Sequence, residues 1–184
     1  QFNGHPWGGG GTWSFKLDDP KHILNQAFKG RGFWHKDEIY QYKPETYVGG
    51  DKLRVLVSLD LNTEQTMKPL NRNEGLKKQY TEGGRTVPVS WIRTFEGGRV
   101  FYTNLGHNAS TYWSPAVLQH YLDGLQYALG DLTADATPSS KITREEGLFD
   151  HRAILEPMEF ARAWWRDVEV TAKDQRVLLS ILTD

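Results

Sequence analysis

Three short motifs in this sequence carry residues able to do chemistry. The first is Gly98-Arg99-Val100-Phe101-Tyr102-Thr103-Asn104-Leu105-Gly106-His107, an apolar run that rises to a Gly-His pair. If Arg99 to Asn104 is a strand, His107 lies just beyond its carboxyl end, where open α/β sheets collect their ligands. Gly106 would let backbone approach a ligand closely, and Asn108 and Tyr112 follow within reach. An imidazole there suits proton transfer, because its ordinary pKa lies near neutrality. The plainer alternative is a loop histidine that only hydrogen-bonds locally.

The second motif is Asp37-Glu38-Ile39-Tyr40. Neighbouring side chains of an extended segment point to opposite faces, so one carboxylate at most is expected to enter a cleft. That carboxylate could orient an imidazole, act as a base or hydrogen-bond the hydroxyls of a polar ligand, and the alternative is solvated surface charge. The third is Gly4-His5-Pro6-Trp7, where an imidazole beside an indole suits stacking and polar contact with a sugar, or equally a packed loop. His107 with Glu38 or Asp37 is thus the catalytic candidate. His5, Trp7, Tyr40, Gly106, Asn108 and Tyr112 are the substrate-binding candidates. No metal or other cofactor is expected. A divalent ion on His5, His107 and Glu38 is the lesser alternative, since imidazole and carboxylate suit zinc but the spacing matches no compact zinc motif.

The elements that must position these groups are legible in outline. Thr12 to Leu17 alternates apolar and polar residues as a half-buried strand does, after a run of four glycines from Gly8 to Gly11. Asp18-Asp19-Pro20 opens a short helix through Phe28, stopped by Gly30 and Gly32, and Phe33 to Tyr42 reads as an extended aromatic segment. Leu53 to Leu59 predicts a strand buried on both faces. Asn62 to Arg85 predicts a long polar surface excursion. Val87 to Phe95 and Arg99 to Asn104, joined by Glu96-Gly97-Gly98, predict a hairpin with Pro88 at a strand start or edge.

Ser114-Pro115 predicts a helix start, and the helix carries one apolar face of Val117, Leu118, Tyr121, Leu122, Leu125 and Leu129 up to Gly130. His120, mid-helix, is expected to be half-buried, and His22, His35 and His151 structural or superficial. Asp131 to Ile142 reads as a linker, followed by helical patterns over Glu156 to Asp167 and Lys173 to Leu182. The Trp164-Trp165 pair suits core or interface packing.

The 184 residues hold 22 Lys+Arg against 23 Asp+Glu, a formal charge of -1, with no basic excess to suggest nucleic acid. No apolar run approaches the roughly 18 residues that cross a bilayer. The absence of cysteine excludes a thiol nucleophile and a disulfide scaffold within the chain and leaves the compartment open, cytoplasmic or periplasmic/secreted. Starting at Gln1 with no charged and apolar leader, the sequence is read as one whose natural N-terminus lies upstream.

Taken with Asp18-Asp19-Pro20, His22, Ile23 and Pro88-Val89-Ser90-Trp91, these motifs resemble the ThuA-like (trehalose utilisation) family, in the class I glutamine amidotransferase-like superfamily. The resemblance runs from Gln1 to about Gly130, and GRVFYTNLGH with DEIYQY is its most specific part. It implies an α/β fold, a flavodoxin-like three-layer sandwich whose N-terminal half would precede this chain, over residues 1–130, with a linker and helical extension over 131–184. The superfamily's amidotransferases use a Cys, a His and an acidic residue. His107 matches the place of that His, and a ThuA-like member is not expected to be a glutaminase. The excursion from Asn62 is longer than the family pattern, and 131–184 resembles no family. The resemblance implies a role in catabolism of trehalose or a related disaccharide or keto-sugar. The rival readings are a non-catalytic carbohydrate-binding module using Trp7, Trp13, Trp34 and Trp113, or an assembly module completed by its upstream segment or another chain, with self-association expected.

Overall fold

A computed structural model describes residues 3–43, 51–83 and 86–142. Its sheet has five strands: β1 (Thr12–Leu17), β2 (Phe33–Lys36), β3 (Arg54–Leu59), β4 (Pro88–Phe95) and β5 (Gly98–Thr103). Their order is β2-β1-β3-β4-β5 and every pairing is antiparallel. Mixed helix and strand make an α/β fold, and the described strands include no parallel pair. Trp13 faces His35, Phe15 faces Leu59, Val55 faces Trp91 and Ile92 faces Phe101 across successive ladders. Pro88, which has no N–H to give a ladder, stands as the first residue of β4.

All six residues of β3 are buried, as the predominance of Val and Leu over Leu53 to Leu59 predicts. Arg54 is the exception that needs a partner: its guanidinium donates to Asp19 from Nε and Nη2, at 3.1 and 2.5 Å. It also reaches the Thr137 carbonyl and the Asp135 carboxylate. Residues 131–142 are therefore more than a tether. Ser139 bonds to the backbone of both Leu53 and Val55, and Leu132, Ala134 and Ala136 pack on the core.

The excursion from Asn62 holds three helical pieces, α1 (Glu64–Met67), a 3-10 turn (Lys68–Arg72) and α2 (Glu74–Thr81). A purely polar surface loop is thus a mistaken expectation, because Thr66, Leu70 and Tyr80 are buried anchors within it. Thr66 accepts the indole N–H of Trp7 on its carbonyl and the backbone N–H of Ser14 on its hydroxyl.

The long helix α3 (Pro115–Leu129) starts with Pro at its first turn, and Gly130, at φ +98°, caps its end. It packs on β5 and on the 3-10 turn Ile23–Phe28. Its core face differs from the expected leucine face: Ala116, Val117, His120, Gly124 and Tyr127 are buried, while Leu118, Leu122, Leu125 and Leu129 are exposed. The cause is close approach, since a Cβ on Gly124 would lie 2.3 Å from the Phe101 ring. His120 is fully buried rather than half-buried, with Nδ1 2.6 Å from the Leu24 carbonyl and Nε2 2.8 Å from the Ser90 hydroxyl. Burial pushes its pKa down to about 4. No helix among the described residues is long and apolar enough to cross a membrane. The helical patterns after Glu156, with Trp164-Trp165 and His151, lie outside the described residues.

Candidate functional site

Three segments meet beyond the carboxyl end of β5: the loop carrying His5, the residues after β2, and Gly106 to Asn108. The first two are joined by backbone hydrogen bonds, Asn3 N–H to Gln41, Gln41 N–H to Gly4 and Ile39 N–H to Trp7. That pairing brings residues distant in sequence to one place.

Asp37 is buried, and its carboxylate accepts four hydrogen bonds. Oδ2 takes the N–H of Gly106 at 2.6 Å and the hydroxyl of Thr111 at 2.9 Å; Oδ1 takes the N–H of Asn108 at 2.8 Å and of Glu38 at 3.0 Å. With its acceptor sites filled by the protein, Asp37 holds the Gly106–Asn108 loop in place and has no face left for a substrate. His35 extends this network, its Nε2 lying 3.0 Å from Thr111 Oγ1. Because that hydroxyl gives its proton to Asp37, it must accept from the imidazole, which fixes the proton on His35 Nε2. Burial lowers the His35 pKa, against the pull of the Asp37 charge, so the ring favours its neutral form.

Glu38 turns the other way. Its Oε2 lies 3.3 Å from His5 Nδ1 and its Oε1 3.6 Å from His107 Nδ1, with the carboxylate largely covered and both imidazoles about half exposed. One carboxylate thus stands between two imidazoles from distant parts of the sequence. The alternation expected for an extended segment separates the roles of Asp37 and Glu38, yet both grip the same loop, because residues 37 and 38 follow β2 as irregular backbone. With Nδ1 turned to Glu38, the His107 imidazole directs its Nε2 away from that carboxylate.

Gly9 shows what the glycine run is for. A Cβ there would stand 3.0 Å from the His107 ring and 2.9 Å from Asn108 Oδ1. Gly106, at φ +125°, adopts backbone that other residues rarely take, and its carbonyl accepts the Tyr112 hydroxyl at 3.1 Å. The Asn108 amide donates to the carbonyls of Gly9 and Lys36, so it ties loops together.

Two expected binding residues sit elsewhere. Trp7 is completely buried, its indole N–H bonded to Thr66 and its ring edge-on to Tyr80, so it cannot stack on a sugar. Tyr40 lines a separate small cavity with Tyr42, Tyr80 and Pro88. Trp13 is likewise nearly buried, with its N–H on the Asp37 carbonyl. Trp113 and Tyr112, on the 3-10 turn Ala109–Trp113, remain exposed beside the loop. His35 and Thr111 join the site only through their contacts with each other and with Asp37, which no local sequence signal marks.

Each imidazole Nδ1 faces a different Glu38 oxygen, at 3.3 Å from His5 and 3.6 Å from His107. Among the described residues no group of three His, Asp or Glu side chains converges to hold a metal ion.

The fold is that of an α/β domain with an imidazole and carboxylate cluster past the end of a strand. The family model ThuA, trehalose utilisation, matches residues 1–128, and the chain belongs to that family. Comparison with curated proteins and with solved structures gives no match.

Proposed function

We propose that this ThuA-family chain binds a sugar of the disaccharide or keto-sugar class and uses His107 as a general acid/base. The observation that carries the reading is the Glu38 carboxylate held between His107 and His5. The Glu38 carboxylate, 3.3 Å from His5 Nδ1 and 3.6 Å from His107 Nδ1, favours the imidazolium that forms when a ring takes up a proton. Next to a sugar carbonyl, His107 Nε2 would remove the proton from the adjacent carbon. The C–H electron pair then passes into the enolate; return of the proton to the same carbon from the opposite face completes an epimerisation, whereas protonation of the former carbonyl carbon, with a proton moving from the adjacent hydroxyl to the carbonyl oxygen, completes an isomerisation. Asp37, through Gly106 and Asn108, is a positioning residue, and Tyr112 forms the rim. The flavodoxin-like sandwich belongs to the same proposal, with further strands added at the outer edge of β5.

The test is solvent-deuterium incorporation into a panel of keto-sugars and oxidised disaccharides, followed by NMR. Exchange at the carbon next to the carbonyl, reduced about 100-fold or more in His107→Ala, is the expected result. Full exchange in His107→Ala would end the reading. A second reading, sugar binding without chemistry, draws on the exposed Trp113 beside Tyr112. Sugar-dependent tryptophan fluorescence with no exchange would favour it.

A further inference from the structure

A cleft lies between the glycine run and the helical excursion. Its volume is about 880 Å³, inside the range of roughly 300–1,000 Å³ that small ligands occupy. Pro6 and Trp13 form one wall, and Glu64, Gln65, Lys68 and Arg72, from α1 and the 3-10 turn after it, form the other. Two hydrogen bonds fasten the walls together: the Trp7 indole N–H on the Thr66 carbonyl at 2.8 Å, and the Gln65 amide on the Thr12 carbonyl at 2.6 Å. The cleft is therefore formed before a ligand arrives, which lowers the ordering cost of binding. Gly11 completes it, because its backbone lies against the Trp13 ring where any Cβ would overlap.

The charges of the cleft select a ligand. Lys68 and Arg72 are four residues apart and both exposed. Among the described residues no carboxylate pairs with either cation, not even Glu64, four residues before Lys68. Two such cations on one wall attract an anion, and the guanidinium fork matches a carboxylate. Glu64 limits how much negative charge is welcome. One carboxylate against two cations leaves a single net positive charge, which balances a sugar carboxylate, whereas a phosphate brings about -1.5 to -2. Pro6 and the small exposed part of Trp13 suit the C–H face of a sugar ring. Gln65, whose amide N–H goes to Thr12, has Oε1 left to accept from a hydroxyl. This wall also adjoins the imidazole cluster: Pro6 directly follows His5, and Trp13 donates its indole N–H to the carbonyl of Asp37, the residue before Glu38.

We infer that the cleft binds a sugar acid, a saccharide oxidised to carry one carboxylate. Lys68 and Arg72 hold that carboxylate while Pro6, Glu64 and Gln65 meet the ring and its hydroxyls. The inference rests on the sugar-binding part of the function proposed above and on none of its proton-transfer chemistry.

The test is isothermal titration calorimetry of the full chain with glucuronate and lactobionate, each against its neutral counterpart, glucose or lactose, and with glucose 6-phosphate and acetate. The sugar acids are expected to bind at least about 10-fold more tightly than the neutral sugars, a factor within reach of charge-assisted hydrogen bonds. In the Lys68→Gln/Arg72→Gln double variant, whose substitutions lie on exposed positions, the circular dichroism is expected to be unchanged and the preference lost. Equal binding of acid and neutral sugar by the wild type overturns the inference, as does a preference that survives the double substitution. So does acetate binding as tightly as glucuronate, the mark of a bare anion site, or glucose 6-phosphate binding more tightly than either acid, the mark of a phosphate site. The readout is binding without turnover. A chain that prefers sugar acids yet exchanges no sugar proton refutes the general acid/base reading alone, and one that exchanges protons with no preference for acids refutes this inference alone.

Discussion

The carboxylate of Asp37 reaches the backbone N–H of Gly106 at 2.6 Å across 69 residues of sequence. This bond, with those to Asn108 and Thr111, makes the position of the His107 loop depend on one buried acid. Asp37→Ala would leave those donors without their acceptor, and each buried orphan costs about 1–3 kcal/mol. A loss of at least about 3 kcal/mol in urea unfolding is expected, together with loss of the site. Asp37→Asn should cost less in stability, yet it sets an N–H₂ group against donors and so still displaces the loop.

His107→Ala should behave in the opposite way. The His107 ring is about half exposed and its ion pair with Glu38 is long, at 3.6 Å. Pairs so exposed contribute between 0 and about 1 kcal/mol. The melting temperature is therefore expected to stay nearly unchanged while sugar-proton exchange falls. Calorimetry and exchange on the same preparation separate a positioning role for Asp37 from a chemical one for His107.

Acid sensitivity should come from His120. Its folded pKa of about 4 lies below the ordinary 6.5, so the unfolded chain binds the extra proton first. Stability from the neutral ring is fully present above pH 6.5 and is lost as pH falls from there towards 4, by about 3 kcal/mol. Burial lowers the pKa of His22 and His35 as well, so both act in the same sense. Urea midpoints measured from pH 7 to 4 should decline, and less steeply in His120→Gln, whose neutral amide does not titrate.

Gly124→Ala adds one methyl where α3 meets the sheet. Its Cβ would stand 2.3 Å from the Phe101 ring, so the helix or the ring must shift. A loss of about 2 kcal/mol is expected, a usual cost of overfilling a close-packed contact. Leu125→Ala, on the exposed face of the same helix, should leave monomer stability almost untouched.

Strands β1, β3, β4 and β5 were legible because alternation, a segment rich in Val and Leu and a glycine turn are local signals. The antiparallel order of the sheet was not, since nothing local says which strands pair. Burial on α3 was misread for a related reason. Leucines look like core, but here the core needs residues small enough to bring the helix onto Phe101, and so takes Ala116 and Gly124. Trp7 looked like a ligand platform because its buried partner, Thr66, lies 59 residues away. His5, Glu38 and His107 could be named from residue type and loop context. That one Glu38 carboxylate would lie between both rings follows only from the pairing of the Gly4 and Gln41 backbones.

The double grip of Thr66 on Trp7 and Ser14 has a consequence for how the molecule opens. Cutting loose the α1 segment removes an acceptor from both sides of the glycine run, so the loop that carries His5 loses its anchor at the same time. The 63–81 stretch and residues 3–14 then form one cooperative unit, whose amide protons should exchange with solvent at a shared rate. A protease cut in the excursion would accordingly be felt at an imidazole that it never touches.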